Sequence, residues 1–228
     1  KAGITPDKFP KFYVVTIDPF KQIQNFYNDA IVDEFGGKIQ GIFSTIVDPT
    51  TTERARKAGI KIHWLHSLFD YHEGKKSFNN ISAIMVRAGR NNKGLPAIQT
   101  GGNVGTSSWF IGWKILKCNI VTLIGIDHGW SEEDPKEKII THNFTHKPIV
   151  LEQNSPMEEK LFPKIFNSEF QCYCILDPIF QYYSNALREF IARSPRHIKT
   201  INATEGGSIF GENIHCITFD DFLSEHDN

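Results

Sequence analysis

Ile120-Val121-Thr122-Leu123-Ile124-Gly125-Ile126-Asp127 is an uninterrupted apolar, β-rich run that closes on glycine and a carboxylate. Apolar residues on both faces are what a strand in the middle of a parallel sheet needs, because helices cover it above and below. Immediately upstream, Cys118-Asn119 turns the chain. Ser107 to Leu116 carries Trp109, Phe110, Ile111, Trp113, Ile115 and Leu116 around nearly the whole helical circumference, the pattern of a buried helix. Before that helix stands Gln99-Thr100-Gly101-Gly102-Asn103-Val104-Gly105-Thr106, a loop of small residues. Loop, helix, central strand and acid in this order predict an α/β architecture.

Outward from this unit the apolar signal keeps changing between strand and helix periods. Phe12 to Ile17 is a β-rich run that stops at Asp18-Pro19, and a helix is predicted over Lys21 to Phe35. Ile39 to Val47 is a second strand, ending on Asp48-Pro49. Thr50, Thr51 and Thr52 can cap a helix carrying Glu53 to Ala58, Gly59 can end it, and Ile60 to Leu65 is a third strand. Residues 128–177 lose periodicity and become charged, with Pro and His, the composition of a lid or binding insertion. Pro178 opens a helix on which Phe180, Tyr183, Leu187, Phe190 and Ile191 recur at spacings of three and four. A strand over His197 to Ile201 leads into Asn202-Ala203-Thr204-Glu205-Gly206-Gly207, and a short strand at Ile214 to Thr218 closes the chain.

The expected fold class is therefore α/β and Rossmann-like, a mostly parallel sheet with helices on both faces and a lid-like insertion. The expected division is a nucleotide-binding core at 1–127, the lid at 128–177, and a C-terminal helix and strands at 178–228 that complete the core. Lys1-Ala2-Gly3-Ile4-Thr5-Pro6-Asp7 reads like the tail of an earlier βα unit, so the sequence is expected to be a fragment.

The 228 residues are 40% hydrophobic and 22% charged, with 18 Phe. That supplies material for a core and argues against disorder. Lys and Arg number 25 against 26 Asp and Glu, a net charge of −1. No global field draws such a chain to nucleic acid or an anionic membrane, and any polyanion site must be local. No apolar run reaches the ~18–20 residues that span a bilayer, and no basic-then-apolar leader opens the sequence, so a cytoplasmic protein without a membrane span is expected. Cys118, Cys172, Cys174 and Cys216 lack the paired spacing of a zinc site and read as buried free thiols.

In open parallel sheets ligands bind beyond the carboxyl ends of the strands. Asp18, the loop Thr100, Gly101, Gly102 and Asn103, and Asp127 are expected on that rim. The glycines let backbone N–H groups approach an anion, which makes this loop and Asp18 the candidates for nucleotide or phosphate binding, although neither a Walker lysine nor a G-x-G-x-x-G pattern is present. A tight turn before a buried helix is the competing reading. Asp127 is either a site acid or the cap of the element after it. His128, His142 and His146 cluster in the insertion. The four-residue spacing of His142 and His146 lacks the glutamate and the helix formers of a metal pair, so no metal site is expected; one of these histidines can serve as a general base or acid, and ordinary surface histidines are the competing reading. Thr204, Glu205 and Gly206 can contact a base, ribose or sugar, or simply form a glycine turn.

Pro6-Asp7, Val14 to Pro19, Gly101-Gly102-Asn103-Val104, Ile120 to Asp127 and Asn202 to Gly207 together resemble the archaeal 6-hydroxymethylpterin diphosphokinase (MptE-like) domain family. That family is related to the flagellin motility accessory factors and, more remotely, to bacterial sialyltransferases. The resemblance implies a first strand and a Gly-x-Gly-Pro-Ser nucleotide loop ahead of the region where this sequence starts. It places Thr100, Gly101 and Gly102 by the nucleotide phosphates and Asp127 in the same site, with His142 or His146 matching the sialyltransferase base. It implies one of two reactions. One moves a nonulosonic, sialic-acid-like sugar from a CMP donor to the hydroxyl of a small-molecule or glycan acceptor, without a required cofactor. The other is diphosphoryl transfer from ATP to a hydroxymethylpterin, with Mg2+. The long insertion and the Thr-Glu-Gly-Gly ending favour the first, and a non-catalytic nucleotide-binding or surface-assembly module is the third alternative. The acceptor and the oligomeric state stay open.

Overall fold

The computed structural model describes residues 4–67, 97–135, 139 and 155–226. The α/β, Rossmann-like class expected from the sequence holds: the strands of both principal sheets run parallel, and helices stand between several of them along the chain. The chain divides after Phe110 into two compact units. The expected boundary at 127–128 thus falls inside the second of them.

In the first unit the sheet has the order β1-β2-β3-β4, from Tyr13–Thr16, Gln40–Ser44, Lys61–Ser67 and Ala97–Ile98. Its register pairs Thr16 with Phe43 and Phe43 with Trp64. Tyr27, Phe43, Val47, Ala55, Ala58 and Ile60 form the core. The helix expected over Lys21 to Phe35 is two pieces: a 3-10 helix at Lys21–Tyr27 and α1 at Ala30–Phe35. Asn28-Asp29 breaks it, because the Asp29 side chain accepts from the Ile31 N–H and starts a new helix there.

α2 spans Pro49–Lys57. Its cap is Asp48 rather than the three threonines, with Oδ1 accepting from the Thr50 N–H at 2.8 Å and from the Thr50 hydroxyl at 2.6 Å. Pro49 sits where its missing N–H costs nothing. Asp48→Ala is expected to lower the denaturation midpoint, because the Thr50 N–H loses its acceptor. Gly59 ends α2 at φ +88, as the sequence predicts. α3 spans Val104–Phe110, and the chain then widens into a π turn at Ile111–Ile115. The expectation of a wholly buried helix is corrected here: Trp109 and Ile111 are buried, whereas Ile115 is exposed.

In the second unit β5 (Ile120–Leu123), β8 (Lys199–Asn202) and β9 (Ile214–Cys216) form a parallel sheet in the order β5-β8-β9. Among the described residues β5 therefore pairs on one side only, with β8, where its apolar run predicts a central strand. Leu123 is buried, but Ile120 and Ile124 are exposed. The stretch 128–177 contains α4 at Pro156–Leu161 and an antiparallel pair, β6 (Lys164–Asn167) and β7 (Cys172–Ile175), which the sequence reading does not anticipate. α5 covers Pro178–Ala192 and buries Ser184, Leu187 and Ile191. A last helix, α6 at Phe219–His226, comes after β9 where no helix is expected. The four cysteines are free, but only Cys174 is fully buried, and Cys118 is exposed rather than buried as expected. No described helix is long and apolar enough to cross a membrane.

Candidate functional site

Parallel strands deliver their following loops to one edge, and in the second unit β5 and β8 do so in register, Leu123 opposite Asn202. The two loops that leave them are tied together. The Ile126 N–H donates to Thr204 Oγ1 at 3.3 Å. The carbonyl of Asp127 accepts from the Ser208 N–H at 2.8 Å and from the Ser208 hydroxyl at 3.2 Å, and that hydroxyl also reaches the His128 carbonyl at 2.7 Å. Gly207, at φ +73, lies so close that a Cβ there would stand 2.3 Å from the Asp127 carbonyl oxygen.

Asn202 supports the loop from below, donating to the Ile209 carbonyl at 2.6 Å and accepting from the Thr204 N–H at 3.0 Å. Asn167, at the end of β6, donates to the Gly207 carbonyl at 2.9 Å. Asp127 and Thr204, singled out from sequence, are thus brought together. Ser208, Asn202 and Asn167, all fully buried, are the supporting residues that sequence reasoning missed as such.

What remains outward is the Asp127 carboxyl group. Its side chain is exposed, yet desolvation by its surroundings raises its pKa above the ordinary carboxylate value, against a smaller lowering by its own N–H. A carboxyl group held in place through its backbone and shifted toward neutrality is suited to accepting or returning a proton. Glu205 is employed differently: its Oε1 accepts from the Phe219 N–H at 2.9 Å and so caps α6. Gly206 lies in the same loop with nothing nearer to an added Cβ than Cys172 Sγ at 4.0 Å.

Beneath this loop the His128 ring is buried between Phe180 and Tyr183 of α5, at centroid distances of 6.2 and 5.7 Å. Its Nδ1 meets no hydrogen-bond partner among the described residues. Burial pushes its pKa down to about 4 from 6.5. His128 is consequently a neutral packing residue rather than a base facing solvent. Its pH effect has a definite sign. The unfolded chain takes up the proton near pH 6.5 and the folded one only near 4, so the stability His128 contributes is complete above 6.5 and falls away toward 4. The loss is expected to reach about 3 kcal/mol at pH 4. His128→Asn, which tolerates the residue's positive φ of 43, should flatten the fall in denaturation midpoint across that window.

Trp130 and Asp177 fasten the neighbouring chain. The indole N–H donates to Asp177 Oδ2 at 2.8 Å, and Oδ1 accepts from the Phe180 N–H at 2.7 Å, capping α5. Asp177→Ala is expected to cost about 2–3 kcal/mol, because a half-buried indole N–H and a helix N-terminus lose the same buried acceptor together. A denaturant titration followed by Trp fluorescence checks it.

The first unit holds the other candidates. Gly101 and Gly102 both have positive φ, 58 and 85, so the small-residue loop needs its glycines. Several of its donors are already engaged. The Gly102 N–H donates to Thr100 Oγ1 at 3.2 Å, the Asn103 N–H to the Thr100 carbonyl, and the Thr106 N–H to Asn103 Oδ1 at 2.9 Å. Asn103 caps α3 with its own side chain, which leaves fewer N–H groups for an anion than the sequence pattern implies.

Asp18, just past β1, lines a cavity of about 470 Å3, within the usual size of a small-molecule pocket. Val104, the first residue of α3, lines it too, whereas Thr100, Gly101, Gly102 and Asn103 are not among its lining residues. The walls are otherwise almost wholly apolar, among them Phe12, Val15, Phe26 and Phe35. Desolvation raises the pKa of the half-buried Asp18 carboxyl group.

Asp127 belongs to the second unit and the Thr100–Asn103 loop to the first. His142 and His146 lie outside the described residues. Among the described residues no group of three or more His, Cys, Asp or Glu is placed to hold a metal ion. Comparison of the chain with family models, with curated proteins and with solved structures gives no match.

Proposed function

We propose that the protein is a nucleotide-dependent transferase of MptE-like type that moves a sialic-acid-like sugar from a CMP donor to a hydroxyl acceptor. The observation that carries this reading is the Asp127 carboxyl group, exposed at the carboxyl end of a parallel strand and anchored through its backbone to the Thr204–Ser208 loop. The first unit, taken by itself, holds a cavity that Asp18 and Val104 share and that is of a size to take a nucleoside. Proton transfer is assigned to Asp127. In this reaction the acceptor oxygen forms a bond to the anomeric carbon, the bond from that carbon to the CMP phosphate oxygen breaks, and the acceptor proton passes to Asp127. Its raised pKa suits the step, because a carboxylate of ordinary acidity is a weaker base toward a hydroxyl. The apolar walls of the first unit's cavity suit a flat base better than a phosphate chain, which favours recognition of the donor through its nucleoside.

Calorimetric titration of CMP and ATP into the purified protein tests the reading. Binding of CMP in preference to ATP supports it. The reverse preference would replace it with diphosphoryl transfer to a pterin, and binding of neither would leave a module without this chemistry.

A further inference from the structure

A carboxylate in an apolar cavity has to find donors, and Asp18 finds none among the described residues. Of the other polar residues that line the cavity, Thr16 and Tyr27 hydrogen-bond to each other through their hydroxyls and are both buried, and Thr5 carries no charge. No described side chain or backbone group hydrogen-bonds to the Asp18 carboxylate, and desolvation is the whole cause of its shifted acidity. Among the described residues no Lys, Arg or His lines the cavity, so a phosphate would meet one negative charge and no positive one. Phe12, Phe26 and Phe35 instead offer aromatic walls to a flat ring, and Phe26 is 76% exposed, leaving ring surface for a ligand to cover.

Val14, Val15, Thr16 and Ile17 line the same cavity, so a ligand there lies along β1 and the residue after it, with the Asp18 carboxylate at the end.

We infer that Asp18 is the specificity-determining residue for the donor's base, accepting a hydrogen bond from the exocyclic amino group of cytosine and rejecting the carbonyl that uracil carries at the same position. The inference rests on the CMP reading and goes beyond it by naming the group that distinguishes the nucleotide. The physical basis is asymmetric: an amino group satisfies the desolvated carboxylate, whereas a carbonyl presents a second lone pair to it and leaves both acceptors unpaired. A carboxylate accepting from the cytosine amino group is an ordinary pairing of protein with base.

The test is titration calorimetry with CMP and UMP as probes, on the parent and on Asp18→Asn. The parent is expected to bind CMP about 10- to 100-fold more tightly than UMP, the span of one well-made polar contact to a base. In Asp18→Asn the preference should shrink to about threefold or less, because an amide can turn either its oxygen or its NH2 to the base. The variant removes a desolvated charge, so its denaturation midpoint should be no lower than the parent's, which separates lost recognition from lost fold. Equal binding of CMP and UMP by the parent, or an unchanged preference in Asp18→Asn, overturns the inference and leaves the CMP reading standing. Failure of both nucleotides to bind overturns both.

Discussion

Gly207→Ala is expected to lower the unfolding free energy by about 2–4 kcal/mol, while Gly206→Ala, one residue earlier, changes it by about 0.5 kcal/mol or less. Neighbouring glycines of one loop differ this much because of what an added methyl group meets. At Gly207 it would stand 2.3 Å from the Asp127 carbonyl oxygen and 2.5 Å from its Cα, both backbone atoms that cannot swing aside. The φ of +73 adds the strain of a left-handed backbone bearing a Cβ. Relief would require the β5 and β8 loops to part, breaking the bonds from Ser208 to the carbonyls of Asp127 and His128 and from Asn167 to Gly207. At Gly206 the nearest atom is a sulfur 4.0 Å away, an ordinary contact. Chemical denaturation of the two variants side by side reads the difference. Equal midpoints would mean that the loops are not held together as described.

Which parts of this arrangement are legible in the sequence depends on whether a signal is local. The Ile120 to Ile124 run and the His197 to Ile201 run are strands, and the loops after them meet, because parallel strands that share a sheet put their following loops on one edge. The glycine needed between the loops stands in the Asn202 to Gly207 stretch, directly after the second of these runs. An apolar run does not name its neighbours, and for that reason β5 reads as central although among the described residues it pairs with β8 alone. Asn167 and Asp177 are invisible for a related reason. Their partners, Gly207 and Trp130, are 40 and 47 residues away, and nothing in an isolated asparagine or aspartate names so distant a partner. The Lys21 to Phe35 segment fails locally instead. Its apolar residues keep a helical period, but Asn28-Asp29 offers a side-chain acceptor that competes with the continuing helix and restarts it. Glu205 shows the same ambiguity at the site itself, since a carboxylate beside two glycines serves a ligand or a helix N-terminus equally well, and here it caps α6.

In the transfer reaction proposed above, Asp127→Ala is expected to reduce kcat/KM by at least about 100-fold, with the fold retained. The separation of the two effects comes from how the residue is built in. What holds the loop is the Asp127 backbone, whose carbonyl accepts from Ser208, and alanine keeps that carbonyl. The carboxyl group itself is exposed, and among the described residues its own N–H is the only group whose hydrogen bond lowers its pKa. Its raised pKa gives the sign of the stability effect: a carboxyl group that resists ionising in the folded state opposes folding as pH rises through that pKa, so removing it costs no stability near neutrality. Asp127→Asn should accordingly match or exceed the parent in denaturation midpoint at pH 7 while losing activity to the same extent as the alanine variant. If Asp127 acts as a carboxylate base, the acid limb of the parent's pH–rate profile lies above the range of an ordinary aspartate, and neither variant shows that limb. A folded Asp127→Ala protein that turns over at the parent's rate would remove the residue from the chemistry and leave the β5 and β8 loops as a structural clasp.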